Sequence, residues 1–141
     1  MERKEFLKTL GASAAFAVTF PCLHSCSTDS GDGPEPPTGI DFTIDLTSSA
    51  AAPLQNNGGF ILQNLVVVAR NLEGNFVAAS QVCSHQQTEE VRFVSDDGGT
   101  FFCSTHGSRF NQQGTPLNTI TNNPLTIYNT ELNGDMLRVF Q

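Results

Sequence analysis

Two cysteines and two histidines in the second half of the chain have the residue types and spacing to do chemistry. Cys83-Ser84-His85 makes a C-x-H pair and Cys103-Ser104-Thr105-His106 a C-x-x-H pair, with 17 residues (86 to 102) between them. Thiolate sulfur and neutral imidazole nitrogen, two of each, form a donor set that zinc and iron–sulfur chemistry both accept. A lone cysteine has an ordinary structural reading, because free Cys is among the side chains most often buried in a core. Four donors in two short pairs do not. The chain holds only 4 Cys and 3 His, and all except Cys22, His24 and Cys26 belong to this group.

Such a set needs rigid elements to hold it, and the surrounding residues read as short strands. Phe42, Ile44 and Leu46 alternate with polar neighbours, the period of a half-buried strand. Asn64 to Arg70 carries the β-branched run Val66-Val67-Val68, suited to a central strand. Glu73-Gly74-Asn75 predicts a turn before Phe76-Val77-Ala78-Ala79. Val91 to Val94 and Thr100 to Phe102 flank Ser95-Asp96-Asp97-Gly98-Gly99, a hairpin signal. Leu125 to Tyr128 and Met136 to Phe140 flank Asn133-Gly134-Asp135, a second hairpin. No helical periodicity of useful length and no internal repeat follows the N-terminal region. The fold class is all-β, and each Cys–His pair falls in a loop just beyond a strand.

Composition bounds the function. At 141 residues the chain fits one domain, and 7 Lys+Arg against 14 Asp+Glu give a net charge of -7. Nucleic-acid binding by phosphate neutralisation needs the opposite balance. No G-x-G-x-x-G loop is present, so no nucleotide cofactor is expected.

Residues 1–25 read as an export signal: Arg3, Lys4 and Lys8 precede an uncharged stretch from Leu10 to Leu23. That stretch is too short for a bilayer span, which takes about 20 apolar residues. Arg3-Lys4-Glu5-Phe6-Leu7-Lys8 resembles a twin-arginine export motif with Lys in place of the second Arg. Leu23-His24-Ser25-Cys26 resembles a bacterial lipobox, which implies that Cys26 is the lipidated N-terminus. Residues 26–39 then form an acidic tether: Ser27 to Gly39 has no aliphatic or aromatic side chain, so disorder is expected. The folded domain is residues 40–141.

Cys83-Ser84-His85 with Cys103-Ser104-Thr105-His106-Gly107-Ser108-Arg109-Phe110 resembles the Rieske 2Fe–2S signature, over about residues 60–141. The resemblance implies a small antiparallel sandwich whose cluster-binding subdomain presents two loops. It implies that Cys83 and Cys103 hold an inner iron, and His85 and His106 an outer iron near solvent. Two imidazoles in place of two thiolates leave less negative charge on the cluster. Rieske potentials accordingly run from about -150 to +300 mV, against about -400 mV for plant-type ferredoxins.

Departures from the family pattern bear on tuning. High-potential members add one Cys to each loop and join the loops by a disulfide; the matching positions here are Thr88 and Thr105. Ser108 matches the family serine whose hydroxyl donates to a bridging sulfide. Phe110 stands where high-potential members have Tyr, so that hydroxyl is missing. One donor kept and one lost predicts an intermediate potential. The first loop usually has Gly at the Gln87 position, a change that bears on its backbone path. In the covering loop Pro124-Leu125 fits, while Thr119-Ile120-Thr121 replaces Gly-Pro-Ala, which predicts a looser or differently shaped cover.

The function these residues imply is one-electron transfer, as a membrane-anchored carrier or an electron-transfer subunit in the cell envelope. The only other His is His24, so the chain cannot supply the two-His-one-carboxylate iron of a ring-hydroxylating oxygenase. The folded segment carries four basic residues, Arg70, Arg92, Arg109 and Arg138, against nine Asp and Glu. Its expected partner is a redox protein such as a cytochrome or a quinol-oxidising complex, and the acidic surface suits a basic one such as a cationic cytochrome. Two other readings stand beside this one: a redox-sensing cluster protein, and a module holding a structural zinc on the Cys₂His₂ set.

Overall fold

The computed structural model describes residues 33–141. The export signal expected over 1–25, the Cys26 expected to carry the lipid and the first part of the expected tether lie outside the described residues.

Nine strands and two short 3₁₀ segments make up the domain. They are β1 (Asp41–Asp45), β2 (Phe60–Gln63), β3 (Val66–Arg70), β4 (Phe76–Ser80), β5 (Val91–Val94), β6 (Thr100–Cys103), β7 (Arg109–Phe110), β8 (Ile127–Asn133) and β9 (Met136–Phe140). All pairings are antiparallel. One sheet has the order β1-β9-β8-β4-β3-β2; the other has the order β5-β6-β7 and is inserted between β4 and β8. The all-β antiparallel fold expected from the sequence is the fold observed.

The β3 strand explains the layering. Successive side chains of a strand point to opposite faces, and in β3 both faces are buried. Val67 and Ala69 pack with Ala79, Val91, Phe93, Phe101, Phe110 and Leu125, between the two sheets. Val66 and Val68 pack with Ile44, Leu54, Ala78, Leu137 and Val139 on the other side. The valine run is continuous because neither of its faces meets water. The first of these cores also contains Cys83 and Cys103, so the thiols rest on the packed junction of the two sheets.

Three local features differ from the expectation. The strand expected over 64–70 starts at Val66, because Asn64 (φ 54°) and Leu65 (φ 61°) form a tight two-residue turn back to β2. Strand β2 itself was hidden, since Phe60-Ile61-Leu62 does not alternate in polarity. Ser49–Gln55 is a 3₁₀ helix that buries Ala51 and Leu54 on the second core. Seven residues with Pro53 inside are too few to show a helical period.

Residues 33–39, assigned by composition to a disordered tether, lie along the domain. The Tyr128 hydroxyl donates to the Pro37 carbonyl at 2.7 Å, and the Gly39 N–H donates to Gln141 Oε1. Burial pushes the Tyr128 phenol up to about 12, so it remains a donor throughout the physiological range. Hydrogen bonds from its main chain to the Tyr128 and Gln141 side chains replace the apolar anchors that this segment lacks, which is why composition gave no sign of them.

Candidate metal centre

The first cluster loop leaves the end of β4 and turns back on itself. Gln87 N–H donates to the Cys83 carbonyl at 3.0 Å, and Cys83 N–H donates to the Thr88 carbonyl at 2.8 Å. Gln87 has φ 51°, the left-handed region that glycine favours. The backbone therefore follows the path a glycine would take, at a cost carried by Gln. The second loop follows β6 in the same way. Gly107 N–H donates to the Cys103 carbonyl, and Cys103 N–H to the Ser108 carbonyl, both at 2.9 Å. Gly107 has φ 83°, which a residue with a Cβ would adopt only under strain.

These two turns bring all four sequence-predicted donors to one end of the molecule. Cys83 and Cys103 are free thiols and are each 1% exposed. His85 is half-buried and His106 exposed. Their rings are 5.0 Å apart, centroid to centroid, and nearly perpendicular at 89°. The sulfurs are thus deep and the imidazoles shallow. Burial pushes the Cys83 thiol up, reinforced by Cys103 beside it and opposed by the His85 N–H. Burial also acts on Cys103, but the Thr105 N–H, Cys83 and Thr88 outweigh it and hold that thiol below its usual value. One of two adjacent buried thiols ionises first and hinders the other.

Two polar atoms here are buried without a protein partner among the described residues: His85 Nδ1 and Ser108 Oγ. An unmade hydrogen bond at a buried polar group costs about 1–3 kcal/mol, and native proteins leave few such groups. Both atoms fit a bound inorganic group, His85 Nδ1 as a metal ligand and Ser108 Oγ as a donor to it. Among the described residues no three His, Cys, Asp or Glu side chains converge on a single ion position. The four donors are arranged as two pairs.

A third loop, between β7 and β8, is steadied by residues that carry no motif in the sequence. Asn118 Nδ2 donates to the Gly107 carbonyl at 2.7 Å. Asn123 Nδ2 donates to the Ser84 carbonyl at 3.3 Å, and Ser84 Oγ returns a bond to the Asn123 carbonyl at 2.9 Å. The segment around Thr119-Ile120-Thr121, expected to give a looser or differently shaped cover, is thereby tied to both cluster loops. The only sequence signal was the density of Asn between residues 118 and 123. Beside the first loop, an open cavity of about 790 Å³ is bordered by Gly33, Pro34 and His85 among others.

The fold recurs in solved structures. The plasma membrane Rieske protein PetC3 of the cyanobacterium Synechocystis PCC 6803 is 25% identical, with a TM-score of 0.52 over 65% of this chain and 95% of that one. The ferredoxin of carbazole 1,9a-dioxygenase from Nocardioides aromaticivorans IC177 is 20% identical, with a TM-score of 0.53 over 76% of this chain and 98% of that one. At that identity the second likeness is one of fold. No curated protein sequence matches the chain. The Rieske [2Fe-2S] domain model matches residues 46–129. A match running from the end of β1 into β8, through both Cys–His loops, settles the relationship: the chain belongs to the Rieske [2Fe-2S] domain family.

Proposed function

We propose that Cys83 and Cys103 hold one iron of the cluster and His85 and His106 the other, in a lipid-anchored carrier working in the cell envelope. The observation that carries the ligand assignment is the arrangement of two buried sulfurs behind two imidazoles 5.0 Å apart. When bound, a 2Fe–2S cluster takes up and returns a single electron. The chain's own residues do the rest. The two thiols supply charge from a dry core, which keeps water from the sulfurs. Exposed His106 offers the contact point for a redox partner. The buried Ser108 hydroxyl, without a protein partner among the described residues, would donate to a sulfide of the bound cluster. A four-coordinate zinc needs its ligands around one point, and the paired arrangement of the donors favours the cluster over that reading.

The anchor at Cys26 rests on the lipobox-like Leu23-His24-Ser25-Cys26, and the resemblance to a plasma membrane protein agrees with it. The partner is a redox protein such as a cytochrome or a quinol-oxidising complex, and the acidic domain suits a basic one such as a cationic cytochrome. A redox titration of the whole chain followed by electron paramagnetic resonance tests the ligand set. A rhombic signal appearing on one-electron reduction is expected, and its loss in both Cys83→Ser and His106→Ala. A colourless, silent protein holding zinc would refute the assignment. Cys26→Ser tests the anchor separately and should move the protein from the membrane to the soluble fraction. Unchanged partition would remove lipidation from the proposal while leaving the ligand set standing.

A further inference from the structure

Thr88 touches both halves of the metal centre. Its carbonyl accepts the Cys83 N–H at 2.8 Å. Its hydroxyl lies 3.7 Å from Cys103 Sγ and 2.8 Å from the Thr105 hydroxyl. One residue thus joins the backbone of the first-loop thiol, the sulfur of the second-loop thiol and a second-loop side chain.

The direction of these bonds follows from proton counting. A thiolate bound to iron has no proton to give, so the Cys103 sulfur can only accept. Thr88 must then spend its one hydroxyl proton on the sulfur, and its oxygen is left to accept from Thr105. The relay runs from Thr105 through Thr88 to Cys103, and each bond polarises the next. Reduction adds negative charge to the cluster and its sulfurs, so a donor aimed at a sulfur favours the reduced state more than the oxidised one. Phe110 offers no hydroxyl, and Ser108 Oγ is a separate group that has no protein partner among the described residues.

We propose that Thr88 is a positioning residue with two effects: it fastens the two ligand loops to each other, and its hydroxyl on Cys103 Sγ raises the reduction potential. The Thr105 hydroxyl bonds Thr88 and also reaches the Cys103 thiol, so only part of its effect passes through Thr88. The Thr105 side chain is exposed, so water competes for its hydroxyl and its share is smaller. The proposal rests on the ligand assignment above, which the wild-type resonance signal tests independently.

The whole chain is compared with T88V, T88S, T105V and the double variant T88V/T105V. Valine keeps the shape of threonine and removes the hydroxyl; serine keeps the hydroxyl. In T88V the equilibrium constant for reduction should fall about three- to tenfold, a drop of roughly 30–60 mV at 59 mV per tenfold change for one electron. T88S should stay within about twofold of the wild type, a margin well inside that constant. T105V should fall less than T88V, and the double variant by less than the sum of the two, because coupled sites are not additive. Thermal unfolding of the iron-free proteins reads the fastening, with T88V expected to melt roughly 4–8 °C below the wild type.

An unchanged midpoint in T88V, or additive losses in the double variant, would overturn the potential-raising role. An unchanged melting temperature in iron-free T88V would overturn the fastening role. If T88V takes up no cluster while T88S does, the fastening stands and T105V alone reads the potential. Failure of T88S to load as well would show that the hydroxyl by itself does not hold the loops, and would overturn the proposal.

Discussion

Gln87 and Ser108 carry opposite kinds of local cost. Gln87 sits at φ 51°, where a residue with a Cβ pays about 1–2 kcal/mol relative to the right-handed region. Glycine removes that strain but adds about 0.5–1 kcal/mol of unfolded-chain entropy. Gln87→Gly should therefore raise the unfolding free energy by roughly 0.5–1 kcal/mol in denaturant titration, and a loss of stability would show that the Gln side chain makes up for its backbone. Ser108 has a fully buried hydroxyl without a protein partner among the described residues. In iron-free protein Ser108→Ala removes an unsatisfied group and should be neutral or stabilising. In loaded protein it should lower the midpoint, since about 1 kcal/mol of lost differential bonding is roughly 40 mV for one electron. Opposite signs in the two states separate a cluster donor from an ordinary turn residue, which would move neither.

At the scale of elements, β3 divides the interior into two cores with different duties. Phe101 on β6 is fully buried in the core shared with Cys83 and Cys103. Leu137 on β9 is fully buried in the other. Truncation of either to Ala should cost heavily, about 3–5 kcal/mol for Phe101 and 2–5 kcal/mol for Leu137. Only Phe101→Ala should also shift the midpoint or shed the cluster. Leu137→Ala should keep its midpoint at temperatures where it remains folded. A potential that moved equally in both variants would mean the two cores are mechanically coupled across β3. The third loop belongs to this scale too, because Asn118 and Asn123 fasten it to both cluster loops through main-chain carbonyls.

Over the whole molecule, charge and chain path decide how a partner is met. The folded segment has four Arg against nine carboxylates and no Lys. Attraction to a basic partner at exposed His106 is then long-ranged at low salt and screened over about 8 Å at 0.15 M. The second-order rate of electron transfer with a cationic cytochrome should fall about tenfold or more between 0.01 and 0.15 M salt. Equal rates across that range would exclude electrostatic steering. The chain enters the domain beside the first cluster loop: the Gly33 backbone sits so close to Gln87 that a Cβ there would lie 2.6 Å from the Gln87 Cβ. Residues 33–39 thus belong to the surface around the site rather than to a spacer remote from it.

Much of this was legible in the chain. The two Cys–His pairs are chemically conspicuous, and strands flanked by glycine turns announce themselves through alternation, so the all-β class and the position of both loops could be read directly. Side-chain type and spacing are local properties, and local properties survive in a linear string. Other features arise only when distant segments meet. The second buried face of β3, the bonds from Asn118 and Asn123 to loops far away in sequence, and the docking of residues 33–39 onto Tyr128 all depend on tertiary contacts. So does the Thr88–Thr105 pair, whose members lie 17 positions apart. A hydroxyl carries no mark of the partner it will find; the folding of two loops onto one core brought it within 3.7 Å of a thiol.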